Sequence, residues 1–242
     1  MTSSNAADTS CSRREALKGG ALLAAALTLS TAAEPAHALP ASKGALPDVG
    51  RYLPAAGVED FVEFIPPKGK TPAIRAGNID MSEPYRFAVP PTWREGKIAN
   101  IQSGNFCLPR CDEPWTEALY ENPAEGKLTL IVSPLRRLIS KTNATIRDVG
   151  PPETVLGSVG AFITGTSPPD DEDVERKEVR EVDGRTYYMY ELHASDSIDK
   201  PHSVSTITTK GDLAFLFIAS ATDKQWARSA PKLRKVVETF RA

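Results

Sequence analysis

The chain has 242 residues, with 29 basic and 31 acidic side chains and a net charge of −2. That balance excludes a nucleic-acid binder, which needs a basic stripe against phosphates, and strong attachment to an anionic membrane surface. The sequence holds no Gly-rich phosphate loop, H-E-x-x-H or G-x-S-x-G, so no catalytic residue is assigned and the chain reads as non-enzymatic.

The first element is a targeting segment. Ser12-Arg13-Arg14 is followed by an uncharged Ala/Gly/Leu run over 19–33 and by Ala36-His37-Ala38. A paired arginine, a moderately apolar run and an A-x-A end make a twin-arginine export signal, with Arg13 and Arg14 read by the translocase and Ala36 and Ala38 marking cleavage. The run is shorter than the roughly 20 apolar residues of a spanning helix. Residues 1–38 carry equal numbers of each charge, so their removal leaves the net charge unchanged. The segment before Ser12 is Ser/Thr-rich and acid-poor, as plastid transit peptides are, but short for a complete one: either its first part is missing here, or the protein is bacterial and needs only the twin-arginine part. Residues 39–57, rich in Pro, Gly and Ala, read as a flexible leader, and residues 58–242 as one domain.

Within that domain the alternation over 58–65 predicts a strand, ended by Pro66-Pro67. Tyr85-Arg86-Phe87-Ala88-Val89 predicts another, and Trp93 beyond the next prolines is expected to cap the core. Residues 97–102 suggest a short strand, 113–121 a further one, and 127–132 a clear one after the turn at 122–126. Between these lie Cys107 and Cys111. Two cysteines three residues apart in an exported protein read as a local disulfide. Its small loop makes it a candidate redox switch, opened by a thioredoxin-like partner. A structural metal site would need more ligands than this segment offers.

Val155, Leu156, Val159, Phe162 and Ile163 fall at helical spacing, with prolines before them and Gly165 after. An acidic turn over 168–173 lacks the spacing of a calcium loop. Strands are then expected over 174–182 and 185–193, joined by an Asp183-Gly184 hairpin turn, and over 202–209 and 213–220. The last is apolar on both faces and so central. Residues 224–240 form an amphipathic helix, with Trp226 anchoring it. Four consecutive strands with a helix before and after predict an α+β fold: a central antiparallel sheet covered by helices on both faces.

Five elements then appear in a distinctive order. They are Tyr85-Arg86-Phe87 with Trp93; Ile146-Arg147-Asp148-Val149-Gly150-Pro151-Pro152-Glu153; Gly184-Arg185-Thr186-Tyr187-Tyr188-Met189-Tyr190-Glu191; His202 before Gly211-Asp212-Leu213; and Ala221-Thr222-Asp223-Lys224-Gln225-Trp226 ahead of Thr239-Phe240. Over about 85–240 this order resembles the PsbP family, the extrinsic lumenal proteins of photosystem II and their relatives. The resemblance implies a PsbP-like α-β-α sandwich, a peripheral place in the chloroplast thylakoid lumen, and association with photosystem II subunits or assembly intermediates. The stretch around Cys107 and Cys111 looks more like a PsbP-domain paralogue than the oxygen-evolving subunit itself. That points to structure, assembly or maintenance of the complex rather than to water oxidation.

The resemblance also marks His202 and Asp223, similar in position to a histidine–aspartate pair that binds divalent metal in the family. An imidazole and a carboxylate would hold calcium, manganese or zinc weakly. Asp223 has a competing role, because it directly precedes a helix and could cap it. Arg136, Arg137 and Lys141 form a basic cluster, either a solvated loop or a docking point for an acidic partner surface. The three tyrosines Tyr187, Tyr188 and Tyr190 are expected in the core.

Overall fold

A computed structural model describes residues 46–69, 71–75, 77–99, 102 and 113–242. The chain divides into two units, Met1–Lys43 and Gly44–Ala242, and every described residue belongs to the second. The twin-arginine segment, with Arg13, Arg14, Ala36 and Ala38, lies outside the described residues, as do Cys107 and Cys111.

Two short strands, β1 (Val62–Phe64) and β2 (Phe87–Val89), pair antiparallel. The main sheet has seven strands. In chain order they are β3 (Arg94–Glu95), β4 (Trp115–Asn122), β5 (Gly126–Pro134), β6 (Val174–Val182), β7 (Arg185–His193), β8 (His202–Lys210) and β9 (Leu213–Ala221). In space the order is β3-β4-β5-β9-β8-β7-β6, antiparallel throughout. β9 occupies the middle and all nine of its residues are buried, as its unbroken apolar run predicts. The strand expected over 97–102 is instead β3, a few residues earlier; the described residues of that stretch lie outside any strand.

Short turns join β6 to β7 and β8 to β9. Asp183 and Gly184 both take positive φ, 51° and 73°. That is the twist a two-residue hairpin needs, and Gly184 reaches it without strain.

Two longer helices pack on this sheet: α3 (Pro152–Thr164) and α4 (Asp223–Glu238). Two single-turn helices, α1 (Pro72–Arg75) and α2 (Ile146–Val149), precede them. Alternation along each strand sorts the core into two main clusters. Phe215 and Phe217 of β9 join Leu128, Leu130, Leu233, Val236, Val237 and Phe240. Leu216 and Ile218, their immediate neighbours, join Val155, Leu156, Val159, Ile163, Tyr188 and Tyr190.

In the first cluster Phe217 packs tilted against Phe87 at 4.7 Å and stacks with Phe240 at 5.1 Å, which ties β2, β9 and the segment after α4 together. Trp93 is fully buried and its indole N–H donates to Glu125 Oε2 at 2.5 Å. In the second cluster the Tyr188 and Tyr190 hydroxyls donate to the Gly150 and Pro152 carbonyls, at 3.0 and 2.8 Å. Those bonds fix the start of α3, so the tyrosines pack and position as expected. α3 tolerates Gly160 because the chain needs it there: a Cβ would lie 2.2 Å from Pro169 Cδ.

β6 forms one edge of the sheet, with six charged residues in nine positions (Glu175, Arg176, Lys177, Glu178, Arg180, Glu181). Lys177 pairs with Glu153 of α3 at 2.8 Å, and Arg147 of α2 with Glu181 at 2.6 Å. Among the described residues, no helix is long and apolar enough to cross a membrane.

Candidate functional site

One end of β7 and β8 meets the start of α4, and the ionisable residues gather there. His193 and His202 are directly opposite in the β7–β8 register. Their rings stack at 4.4 Å and 7°. His202 also stacks on Trp226 of α4 at 5.0 Å and 1°. The Arg234 guanidinium lies 5.0 Å from the Trp226 ring centre and forks onto the buried Glu191 of β7, with Nε at 3.0 and 3.2 Å from its two oxygens. Trp226 thus anchors α4 through this stack, at the rim of the core.

The sequence-marked pair comes together. His202 Nε2 lies 3.0 Å from Asp223 Oδ1, with the histidine side chain 12% exposed and the aspartate 79%. Helix capping does not compete for that carboxylate. The N-cap of α4 is Thr222, one residue earlier than expected. Its hydroxyl accepts from the Gln225 backbone N–H, and Gln225 Oε1 accepts from the Thr222 backbone N–H at 2.9 Å, a reciprocal capping box. Asp223 is left in the first turn, where a carboxylate also suits the positive end of the helix.

With Nε2–H donating to Asp223, the neutral His202 ring keeps its lone pair on Nδ1. That atom is buried and has no hydrogen-bond partner. Glu175, His193 and His202 each place one potential ligand atom within 4.8 Å of the others. Two imidazoles and a carboxylate suit zinc or manganese. An imidazole held through its other nitrogen by a carboxylate is the usual support for a metal-binding histidine. The residues present therefore fit a divalent cation.

Glu175 reaches the cluster through a β-bulge. The β6–β7 pairing steps from Val174↔Leu192 to Arg176↔Glu191, so Glu175 is the inserted residue. Sequence reasoning missed it, along with the role of His193. Both depend on register, and the β7–β8 connection is too long for turn type to set it.

A second bulge inserts a second glutamate. β4 steps from Thr116↔Ile131 to Ala118↔Leu130, and Glu117 is the extra residue. It is only 2% exposed. Its Oε2 accepts from the Ala73 backbone N–H at 2.9 Å and the Trp115 indole at 3.0 Å, while Oε1 accepts from the Tyr85 hydroxyl at 3.2 Å. Burial pushes its carboxyl above the usual range, and these hydrogen bonds offset part of that rise. The arrangement straps α1 to the sheet. A signal existed: Trp115 and Tyr120 are both core residues, and five positions along an unbroken strand would put them on opposite faces.

The basic cluster lies between β5 and α2, and two of its charges are engaged within the chain. Arg137 pairs with Glu113 at 3.0 Å and Lys141 with Asp148 at 2.6 Å. Arg136 and Lys141 line a polar cleft of about 640 Å³ that also includes Asn78 and Asp212.

Comparison with known proteins bears on this arrangement. The family model described as PsbP matches residues 78–242, more than half of the chain. PsbP domain-containing protein 6, chloroplastic, of Arabidopsis thaliana is 42% identical over 194 residues, covering 80% of this chain and 72% of that protein. PsbP domain-containing protein 4, chloroplastic, of the same plant is 29% identical over 65% of this chain, which spans 55% of its length. In fold, the chain is similar to the solution structure of cyanobacterial PsbP (CyanoP) from Synechocystis sp. PCC 6803, with a TM-score of 0.50 and 18% identity over 78% of this chain and 96% of that one. The family match spans the seven-stranded sheet, α2 to α4 and the His202–Asp223 corner, and on that ground the chain belongs to the PsbP family.

Proposed function

We propose that the chain is a non-enzymatic PsbP-domain protein of the chloroplast thylakoid lumen. It associates peripherally with photosystem II subunits or assembly intermediates and serves the structure, assembly or maintenance of the complex around the oxygen-evolving centre. The observation that carries this reading is the family match over residues 78–242. The relatives named chloroplastic and the twin-arginine motif at Arg13-Arg14 agree with it. The packing of α3 on one hydrophobic cluster and α4 on the other supports the α-β-α sandwich that this reading implies. Docking through Arg136, Arg137 and Lys141 would require an acidic partner to compete with Glu113 and Asp148.

A pull-down from solubilised thylakoids and co-migration on native gels test it. Retention of photosystem II subunits is the expected result. Free migration under every condition, or robust turnover by the purified protein, overturns it.

A second reading is favoured by one observation, the buried unpartnered Nδ1 of His202. In that reading Glu175, His193 and His202 hold a divalent ion, and Asp223 orients His202 through Nε2. Such an ion would supply positive charge at the sheet corner and fix the start of α4.

A further inference from the structure

Away from the histidine corner, two lysines converge on the face of the sheet that carries α3. Lys127 is the second residue of β5 and sits opposite Ser220 of β9. Lys200 belongs to the β7–β8 connection and lies beside Gly165, the C-cap of α3, where its Nζ would be 3.0 Å from an added Cβ. Both line a cleft of about 420 Å³, within the roughly 300–1,000 Å³ typical of small-molecule sites. Neither lysine makes a hydrogen bond or ion pair among the described residues. Lys200 is partly withdrawn from water, and burial lowers its pKa, with the charge of Lys127 pushing the same way. The charge of Asp199 acts the other way on Lys200, and Glu121 lies opposite Lys127 in the β4–β5 register, yet among the described residues the cleft lining holds both ammonium groups and no carboxylate, a local excess of positive charge. The carbonyl end of α3 offsets only part of it.

The rest of the cleft is different in character. Leu119, Ile131, Phe162 and Ile218 supply apolar wall, and Phe162 is 44% exposed although it sits on a helix facing the sheet. Through Ile131 and Phe162 the cleft continues into a second recess of about 160 Å³, floored by Val159, Ile207 and Leu216. Along β5, Lys127 and Ile131 are four residues apart on one face, about 13 Å at strand rise. The space is thus cationic at one end and apolar at the other.

We propose that this cleft binds a small amphipathic anion, an aliphatic carboxylate whose head lies between Lys127 and Lys200 and whose chain runs along Ile131 and Phe162 toward α3. The head would neutralise both lysines at once, and the chain would cover apolar surface that the sheet leaves open. The site is separate from the histidine corner and does not rest on the docking reading.

The test is calorimetric titration of the protein with dodecanoate below its micellar concentration. One saturable site is expected. Lys200→Gln and Lys127→Gln should each weaken binding by about tenfold, the loss of one charge-assisted contact. Lys200→Gln removes a desolvated charge, so folding is not at risk, and a thermal melt verifies that. Lys224→Gln on the exposed start of α4 should leave binding unchanged. Dodecanol, with the chain and no charge, and acetate, with the charge and no chain, should both bind at least about tenfold more weakly. Non-saturable uptake, equal binding of dodecanol, equal binding of inorganic phosphate, or indifference to both lysine substitutions overturns the proposal.

Discussion

Asp223 reaches His202, Oδ1 to Nε2 at 3.0 Å, because Thr222 takes over the capping of α4. A one-residue offset separates the two tasks. The hydroxyl satisfies the helix amides and the neighbouring carboxylate is released to the imidazole.

That division is measurable by denaturation. Thr222→Ala removes the capping oxygen and should cost about 1 kcal/mol of stability. Asp223→Asn keeps the cap and should cost less than Thr222→Ala in the same urea titration. Equal losses would mean that Asp223 carries the cap after all.

The metal reading predicts a graded response to zinc or manganese. His202→Ala and His193→Ala should each abolish most of the affinity, and Glu175→Gln should weaken it. Asp223→Asn should lower affinity by roughly 10–100-fold, as loss of an orienting partner does. Protons compete with metal for imidazole, so affinity should fall as the solution is acidified. Calorimetry that finds no difference between His202→Ala and the parent chain removes the reading.

Glu117 predicts a pH dependence with a definite sign. Its carboxyl is raised in the folded state, chiefly by burial. The protonated form is therefore favoured by folding, and this contribution is complete below the ordinary glutamate value of roughly 4.3. It is lost as pH rises through the elevated folded value. Glu117→Gln keeps a neutral acceptor in place, so its stability relative to the parent should improve from pH 5 to pH 8 in urea titrations. Glu117→Leu should destabilise, by about 1–3 kcal/mol for each donor left without a partner among Ala73, Tyr85 and Trp115.

Arg234 joins Glu191 to Trp226. Arg234→Ala should cost about 1.5–3 kcal/mol, since the buried Glu191 loses the fork that its two oxygens accept from. Arg234→Lys should rescue little, because an ammonium neither forks onto a carboxylate nor stacks flat on an indole. Thermal melts of the two variants that differ widely would show the pairing to be a simple charge effect.

Much of the framework is legible in the sequence. The unbroken apolar run of β9 marks the middle of the sheet, Asp183-Gly184 marks a hairpin, and Pro152 and Gly165 bracket α3. These are local signals with local causes. The site was half legible. His202 opens β8 and Asp223 follows β9, so a register argument could bring them together once β8 and β9 were paired. Glu175 and Glu117 were hidden because each owes its position to an inserted residue, and an insertion shifts the alternation by which strand faces are read. The capping of α4 was misplaced by one residue because Thr222 and Asp223 are both good caps, and only the Gln225 side chain decides between them.

The charged margin formed by β6 has a consequence for recognition. A foreign strand laid alongside it would have to align its own side chains with alternating positive and negative groups, several already engaged by α2 and α3. That discourages both self-association into ribbons and capture of extended peptides along this border. On this side of the sheet, a companion would therefore have to fit by shape to the broad surfaces or the loops, without backbone zippering.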